Sequence, residues 1–159
     1  MILYHGSYTA VPKPGIAFSR IFLDFGAGFY TTPYKEQAKK WTDRIVSRRG
    51  IAYISTYELD DAAFERLHVL EFDNYSKEWL MFVVNCRNGS AAPEEYDIIS
   101  GSVANDKVFD TIEEYLNGYK TWTETLGRLR YEKPNWQYCF KKQEAMDKHL
   151  RFISAEVVK

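Results

Sequence analysis

The sequence predicts an α+β fold, built as one domain over residues 1–159. The predicted strands and helices interleave without the strand–helix–strand rhythm of a doubly wound sheet. The balance of 45% hydrophobic and 27% charged residues is that of a globular chain, and 159 residues are enough to bury a sizeable core. The stretches rich in Pro, Gly and Ser, at 12–15 and 88–93, are too short to separate two domains.

The first third of the chain is predicted to form two strands and a long helix. The first strand runs from Ile2 to Tyr4, and the second follows the small residues of the segment FGAGFYTT. We expect the Thr32 hydroxyl to cap the helix, with Pro33 at the first helical position, and Gly50 to end it. The predicted apolar face of this helix consists of Tyr34, Ala38, Trp41 and Ile45.

Strands and capped helices continue to alternate through the rest of the chain. The segments with strand composition are Ile51 to Leu59, Leu67 to Phe72, Tyr96 to Ser100, Trp136 to Phe140, and Leu150 to Val158. Ser76 and Asn105 are predicted helix caps, Gly118 closes the second of these helices, and Thr121 forms a capping box with Glu124. A last helix is predicted over 142–149, and Pro134 with Asn135 indicates a turn before the strand that begins at Trp136.

Charge and cysteine content exclude several classes of function. A net charge of -1 provides no overall basic field that would attract nucleic acid or an acidic membrane. Cys86 and Cys139 give neither a disulfide framework nor a metal-binding spacing, so we expect buried free thiols and no metal. The N-terminal residues do not resemble a signal peptide, and no apolar run approaches the ~18 residues of a membrane span. We therefore expect a cytoplasmic protein that does not enter the membrane.

Two segments carry residues suited to holding a polar, planar ligand. His5 is placed at the end of the first strand, and Gly6 behind it allows close approach to the backbone, with the Ser7 hydroxyl beside it. In DFGAGFYTT, small residues that include Gly28 precede Tyr30, whose ring could stack on a flat heteroaromatic group. Each segment also has a purely structural interpretation, in which the histidine bonds its own loop and the tyrosine is a core residue.

Taken together, the segments LYHGS, DFGAGFYTT and PYKEQAKKW resemble the ADP-ribosyltransferase fold. They are most similar to its histidine–tyrosine branch, which contains diphtheria toxin and the poly(ADP-ribose) polymerases. The chain also resembles, from Met1 to the final strand, an uncharacterised family of short bacterial proteins assigned to this fold. The resemblance implies two small, mostly antiparallel sheets that form an NAD cleft and are flanked by helices.

The same resemblance implies a role for each site residue. His5 would bond the adenosine ribose, and the backbone of Gly6 would hold the nicotinamide amide. Tyr30 would stack on the nicotinamide ring, with Ser7 near a ribose and Gly28 in the cofactor-binding segment. In the branch, a late strand carries a glutamate, and the residue in this position of the strand NWQYCF is Gln137.

The amide at position 137 limits the chemistry that the resemblance implies. Cleavage of the bond between nicotinamide and ribose passes through an oxocarbenium-like state, which a carboxylate stabilises by its charge. The neutral Gln137 can bond a hydroxyl but supplies no full negative charge, so we expect single transfer to a good nucleophile rather than hydrolysis or chain elongation. A structural interpretation stays open as well, in which Gln137 only satisfies backbone groups near a sheet edge.

The resemblance therefore implies an NAD-dependent mono-ADP-ribosyltransferase that modifies a macromolecular acceptor, either protein or nucleic acid. A small transferase of this kind would suit the toxin of a toxin–antitoxin pair, with an antitoxin protein as a further partner. One alternative is a catalytically degenerate module that binds NAD or ADP-ribose. Another is an interaction domain whose cleft is vestigial. The identity of the acceptor and the oligomeric state do not follow from the sequence.

Overall fold

The computed structural model describes residues 1–130 and 135–159, and over these ranges the chain has an α+β fold with two mostly antiparallel sheets. The strands are Ile2–Ser7 (β1), Phe29–Thr31 (β2), Ala52–Leu59 (β3), Val69–Glu71 (β4), Ile98–Gly101 (β5), Gln137–Phe140 (β6) and Leu150–Val158 (β7). The α-helices of the described residues are Lys35–Arg49 (α1), Ala63–Arg66 (α2), Lys77–Arg87 (α3), Asp106–Leu116 (α4), Trp122–Leu129 (α5) and Gln143–His149 (α6). Pro134, the first residue of the turn predicted before β6, lies outside the described residues.

The two sheets meet at one corner, where β1 and β2 touch. The first sheet is antiparallel in the order β1-β3-β7, and the second has the order β2-β6-β5-β4 with a parallel β4–β5 pair. Tyr4 and Thr32 exchange two backbone hydrogen bonds, of 2.8 and 2.9 Å, and so join β1 to the residue after β2. The predicted site residues of β1 and β2 are brought together by this bridge.

The four-stranded sheet has apolar residues on both of its faces. One face packs toward the three-stranded sheet, and we call the residues buried there the inter-sheet cluster: Leu3, Phe29, Tyr57, Leu59, Ala63, Ile98, Tyr138, Phe140 and Met146. The other face is covered mainly by helices α3, α4 and α5. We call the residues buried there the helix-side cluster: Phe25, Trp79, Leu80, Val83, Ile99, Ala104, Val108, Ile112, Leu129 and Cys139. The two faces alternate along each strand, as the period of two requires.

The helix ends follow the local chemistry of their residues. The side chains of Ser76, Asn105 and Thr121 each accept a hydrogen bond from a backbone N–H in the first helical turn, and Thr121 completes its capping box with Glu124. Gly50 has a φ of 74° and donates its N–H to the carbonyl of Val46, so it ends α1 as the sequence predicts. No helix of the described ranges is both long enough and apolar enough to cross a membrane.

The predicted start of α1 and the predicted end of β1 are wrong. Helix α1 begins at Lys35, because the bridge to Tyr4 holds Thr32 in extended backbone, and the Thr32 hydroxyl accepts from the N–H of Tyr34 instead. Strand β1 continues to Ser7, since β3 is long enough to pair with all six of its residues. His5 therefore lies inside a strand and not at its end. Helix α2 was not predicted.

Candidate functional site at the corner of the two sheets

His5 is held as a neutral ring beside the second strand. Its Nδ1 lies 2.7 Å from the backbone oxygen of Tyr30, so Nδ1 carries the proton and donates it. The ring also packs against Phe29, with 4.5 Å between the ring centroids. Burial lowers the pKa of His5 below its ordinary value, and the bond to Tyr30 opposes this only in part. The Nε2 atom has no hydrogen-bond partner among the described residues and can act as an acceptor.

Gly6 is required by the packing of α1 and also offers free backbone groups. A Cβ atom at this position would lie 2.5 Å from the backbone oxygen of Ala38, so only glycine lets the helix approach so closely. Along β1, Tyr4 directs its N–H and C=O away from β3 and toward Thr32. Gly6, two residues later, directs its own N–H and C=O to the same edge. Neither group has a partner among the described residues.

Tyr30 fastens the loop that precedes its own strand. Its hydroxyl accepts a hydrogen bond of 3.0 Å from the N–H of Phe25 and donates one of 2.6 Å to the oxygen of Gly26. Burial raises the pKa of Tyr30, so the phenol stays protonated. The Lys141 ammonium also donates to this loop, to the backbone oxygens of Phe25 and Ala27. The hydroxyl of Tyr30 is thus occupied, and its partly buried ring packs against the helix-side cluster.

The other two predicted cofactor-binding residues make local contacts. Gly28 exchanges hydrogen bonds with the Ser19 hydroxyl, which accepts from its N–H at 2.7 Å and donates to its oxygen at 2.8 Å. A Cβ atom at Gly28 would collide with Cys139 and lie 2.7 Å from the oxygen of Phe140, so glycine allows this segment to pack against β6. The Ser7 hydroxyl donates to the oxygen of Thr9 at 2.6 Å.

Gln137 lies at the start of β6, on the same face of the sheet as Tyr30. Tyr30 pairs with Cys139, and Cys139 is two residues from Gln137, so all three side chains share a face. Gln137 is only 3% exposed. Its amide nitrogen donates to Asp24 Oδ2 at 2.9 Å and to the backbone oxygen of Ser102 at 3.3 Å. Its Oε1 has no hydrogen-bond partner among the described residues. It does not belong to the polar side-chain atoms that are both fully buried and unpartnered.

Asp24 is the centre of a buried polar network that the motifs did not reveal. One carboxylate oxygen accepts from Arg87 Nε at 2.7 Å and lies 2.6 Å from Nη2. The other accepts from Gln137 and from the N–H of Ala104, the latter at 2.8 Å. Arg87 also donates to the oxygen of Ala104 and stacks over Phe109, 4.4 Å from the ring centroid. From sequence, Asp24 is expected only to shape its loop, and no signal links it to Arg87, 63 residues away.

The structure thus places the predicted site residues near the corner of the two sheets, but their side chains do not all lie on the same face of the four-stranded sheet. Tyr30 and Gln137 share the helix-side face of the four-stranded sheet. His5 contacts the backbone of Tyr30, while its ring packs on Phe29, which belongs to the inter-sheet cluster. Gly6 follows at the free edge of β1. No group of three or more His, Cys, Asp or Glu side chains suited to a metal ion is found in the described parts of the chain.

The α+β fold with two mostly antiparallel sheets defines the structural class, and a comparison with known families defines the relationship more closely. Residues 1–152 match the family model described as a protein of unknown function, DUF3990. The chain belongs to this family. Neither the curated proteins nor the solved structures include a match.

Proposed function

We propose that this chain binds NAD at the corner of the two sheets and has an ADP-ribosyltransferase-like fold. The observation that carries the proposal is the N–H and C=O of Gly6 at the outer edge of β1, for which the described ranges offer no partner. An N–H donor and a C=O acceptor on one residue are complementary to a primary carboxamide, which has one acceptor and one donor on the same side. Nicotinamide presents that group.

The surrounding side chains support a ligand that combines a carboxamide with ribose hydroxyls. The neutral Nε2 of His5 is an acceptor one residue before Gly6. The Oε1 of Gln137, which has no partner in the described part of the chain, is a second acceptor, on the same face as the ring of Tyr30. Hydroxyls are the donors that such acceptors bind, and the Tyr30 ring offers a flat apolar surface.

We further propose that the protein transfers one ADP-ribose unit to a macromolecule. The bond between the nicotinamide nitrogen and the anomeric carbon of ribose breaks, and its electron pair leaves with neutral nicotinamide. The acceptor's nucleophilic atom forms the new bond to that carbon and releases its proton to solvent. Because Gln137 supplies only a dipole and no full charge, transfer should be slow and should depend on a nucleophile better than water.

Binding of the carboxamide can be tested with two small molecules that differ in one group. Nicotinamide should bind and compete with NAD in isothermal titration calorimetry. Nicotinic acid should bind at least ten-fold more weakly, because its carboxylate has no donor for the Gly6 oxygen. His5→Asn is the matched variant, since its amide can still donate to Tyr30 but lacks an acceptor at the Nε2 position. We expect it to weaken NAD binding while nicotinamide binding is retained. Equal affinity for the two small molecules would refute the proposed site.

A second candidate function is a module that binds NAD or ADP-ribose without chemistry, and the neutral amide of Gln137 favours it. Incubation with labelled NAD and cell extract separates the two. Transfer of label that is lost in Gln137→Ala supports the enzyme, whereas saturable binding without transfer supports the module. The absence of both would leave an interaction domain whose cleft is vestigial.

A role as the toxin of a toxin–antitoxin pair rests on the resemblance of this short chain to stand-alone transferases. If it is correct, induced expression in bacteria should stop growth, and His5→Asn should relieve the arrest. An antitoxin protein would then be the partner that allows wild-type expression. Unimpaired growth at verified expression of the folded protein would count against this role.

A further inference from the structure

We propose that Asp24 is a positioning residue that fixes the amide of Gln137 in one orientation, so that Oε1 alone faces the ligand. This inference rests on the proposed function for its catalytic consequence, but the orientation itself follows from the contacts. An amide side chain can rotate by half a turn and exchange its donor for its acceptor. In this site only one of the two orientations is compatible with its neighbours.

The neighbours of Gln137 select the orientation because both are acceptors. Asp24 Oδ2 lies 2.9 Å from the amide nitrogen, and the oxygen of Ser102 lies 3.3 Å from the same atom. If the amide were rotated, its oxygen would face a carboxylate and a carbonyl in a buried site, without a proton between them. An unsatisfied buried polar group of this kind is strongly unfavourable.

Arg87 keeps Asp24 available as an acceptor. The guanidinium lies 2.6–2.7 Å from one carboxylate oxygen of Asp24, whose residue is only 6% exposed, in a charge-assisted contact that holds the carboxylate in place. The other oxygen is shared by Ala104 and Gln137. Ser102, the second acceptor, is itself held by Trp79, whose indole N–H donates to its oxygen at 3.1 Å. Both acceptors of the Gln137 amide, Asp24 and Ser102, are therefore held in place by further hydrogen bonds.

The fixed orientation matters for the transfer step. The negative end of the amide dipole faces the position where the ribose would develop positive charge. A rotated amide would present its NH₂ group, whose positive end opposes that charge, although it could still bond a hydroxyl. Loss of Asp24 should therefore reduce the rate constant of NAD cleavage more than it weakens NAD binding.

The orientation can be tested by NMR without reference to any activity. The two Nε2 protons of Gln137 are assigned by their absence from Gln137→Met. In the wild type, the hydrogen bonds should move the chemical shifts of these protons away from those of a solvated amide, and the protons should exchange slowly with water. In Asp24→Asn they should lose this protection, while the control Asp97→Asn should keep it. Asp97 is a suitable control because it is also a partly buried carboxylate, paired with Lys142 and bonded to a backbone N–H. Freely exchanging protons in the wild type would overturn the inference.

Kinetics with NAD provide the second test and separate the two proposals. Asp24→Asn should lower kcat about ten-fold with KM within about two-fold, a smaller loss than the ~10²-fold known for removal of one preorganised contact. The double variant Asp24→Asn/Gln137→Glu should have a higher kcat than Asp24→Asn. The carboxylate introduced at position 137 has two acceptor oxygens, so it presents an acceptor in either orientation and does not need Asp24. An Asp24→Asn kcat equal to that of Asp97→Asn would overturn the inference. A wild type that neither binds nor cleaves NAD would refute the proposed function alone, since the NMR result stands by itself.

Discussion

At the scale of single residues, the site depends on groups that burial keeps neutral. His5 illustrates this, because its Nε2 is an acceptor only while the ring has a single proton on Nδ1. The bond to the Tyr30 oxygen selects that tautomer, and burial disfavours the second proton. Tyr30 is likewise kept protonated and uses its hydroxyl to hold the adjoining loop.

The lowered pKa of His5 predicts how stability depends on pH. The folded state binds its second proton less readily than the unfolded state, whose histidine has a pKa near 6.5. The contribution of His5 to stability is therefore full above about pH 6.5 and is lost progressively as pH falls toward the folded pKa. In urea unfolding at pH 7.5 and 5.5, His5→Asn should show a smaller loss between the two pH values than the wild type. The exposed His68 is the control, and His68→Asn should leave that difference unchanged.

Gln137→Glu should be destabilising, because it places a carboxylate against Asp24 at the present 2.9 Å contact. The charge-assisted hydrogen bond is lost and two like charges share a buried site, which should cost about 2–3 kcal/mol. The pair is relieved if one group binds a proton, so the loss should be larger at pH 7.5 than at pH 5. Thermal unfolding at both values measures this, with Asp24→Asn/Gln137→Glu expected to be less impaired at pH 7.5. A stable single variant would show that Asp24 and residue 137 do not interact.

At the scale of elements, the packing of α1 on β1 is set by the absence of a side chain at Gly6. The backbone oxygen of Ala38 occupies the space that a Cβ atom would need, and Thr42 lies next to it. The same close approach places the helix beside Gly6, whose N–H and C=O face the edge of β1 away from β3 and have no partner among the described residues. One glycine thus serves both the packing and the proposed site.

Gly6→Ala and Gly127→Ala should have opposite effects on stability. A methyl group at Gly6 would be 2.5 Å from the Ala38 oxygen, so helix or strand must shift, at a cost of about 1–3 kcal/mol. Gly127 lies inside α5 with open space around its Cβ position, and alanine there should stabilise the helix by about 0.5–1 kcal/mol. Chemical denaturation of the two variants checks both signs. A neutral Gly6→Ala would contradict the packing described here.

The elements differ in how far their sequence could predict them. Caps at Ser76, Asn105 and Thr121 depend on residues within one helical turn, and the structure confirms them. The start of α1 was wrong because the Tyr4–Thr32 bridge, which spans 28 residues, overrides the local preference of Thr32 and Pro33. The α+β class was predictable because it depends on the order of elements rather than on their exact ends.

The polar network around Asp24 could not have been predicted, because it too depends on contacts between residues that are far apart in the chain. Its members are contributed by the loop before β2, the end of α3, the loop after β5 and the start of β6. No spacing in the chain indicates that these residues meet. Gln137 could be singled out from the sequence only through a resemblance to proteins that have a glutamate at this position. Its hydrogen-bond partners become evident only in the folded structure.

At the scale of the whole molecule, this network joins segments that the sheets alone would leave independent. Asp24 connects the loop before β2 to α3 through Arg87 and to β6 through Gln137. The Tyr4–Thr32 bridge then connects β2 to the three-stranded sheet. A ligand at the corner would therefore contact groups whose positions are fixed by elements from most of the chain, which reduces the entropy lost on binding.

Removing Arg87 alone should lower the free energy of unfolding more than removing the charges of both Asp24 and Arg87. Arg87→Met leaves the Asp24 carboxylate buried without its counter-charge, which should cost about 3 kcal/mol, the low end for buried pairs because Arg87 keeps 28% exposure. Asp24→Asn/Arg87→Met removes the charge as well, so it should be more stable than Arg87→Met. The control is Arg44→Met, which breaks an almost fully exposed pair with Asp106 and should leave unfolding unchanged. Urea denaturation of the variants gives the comparison. If the double variant were the least stable, Asp24 would contribute through its packing and not through its charge.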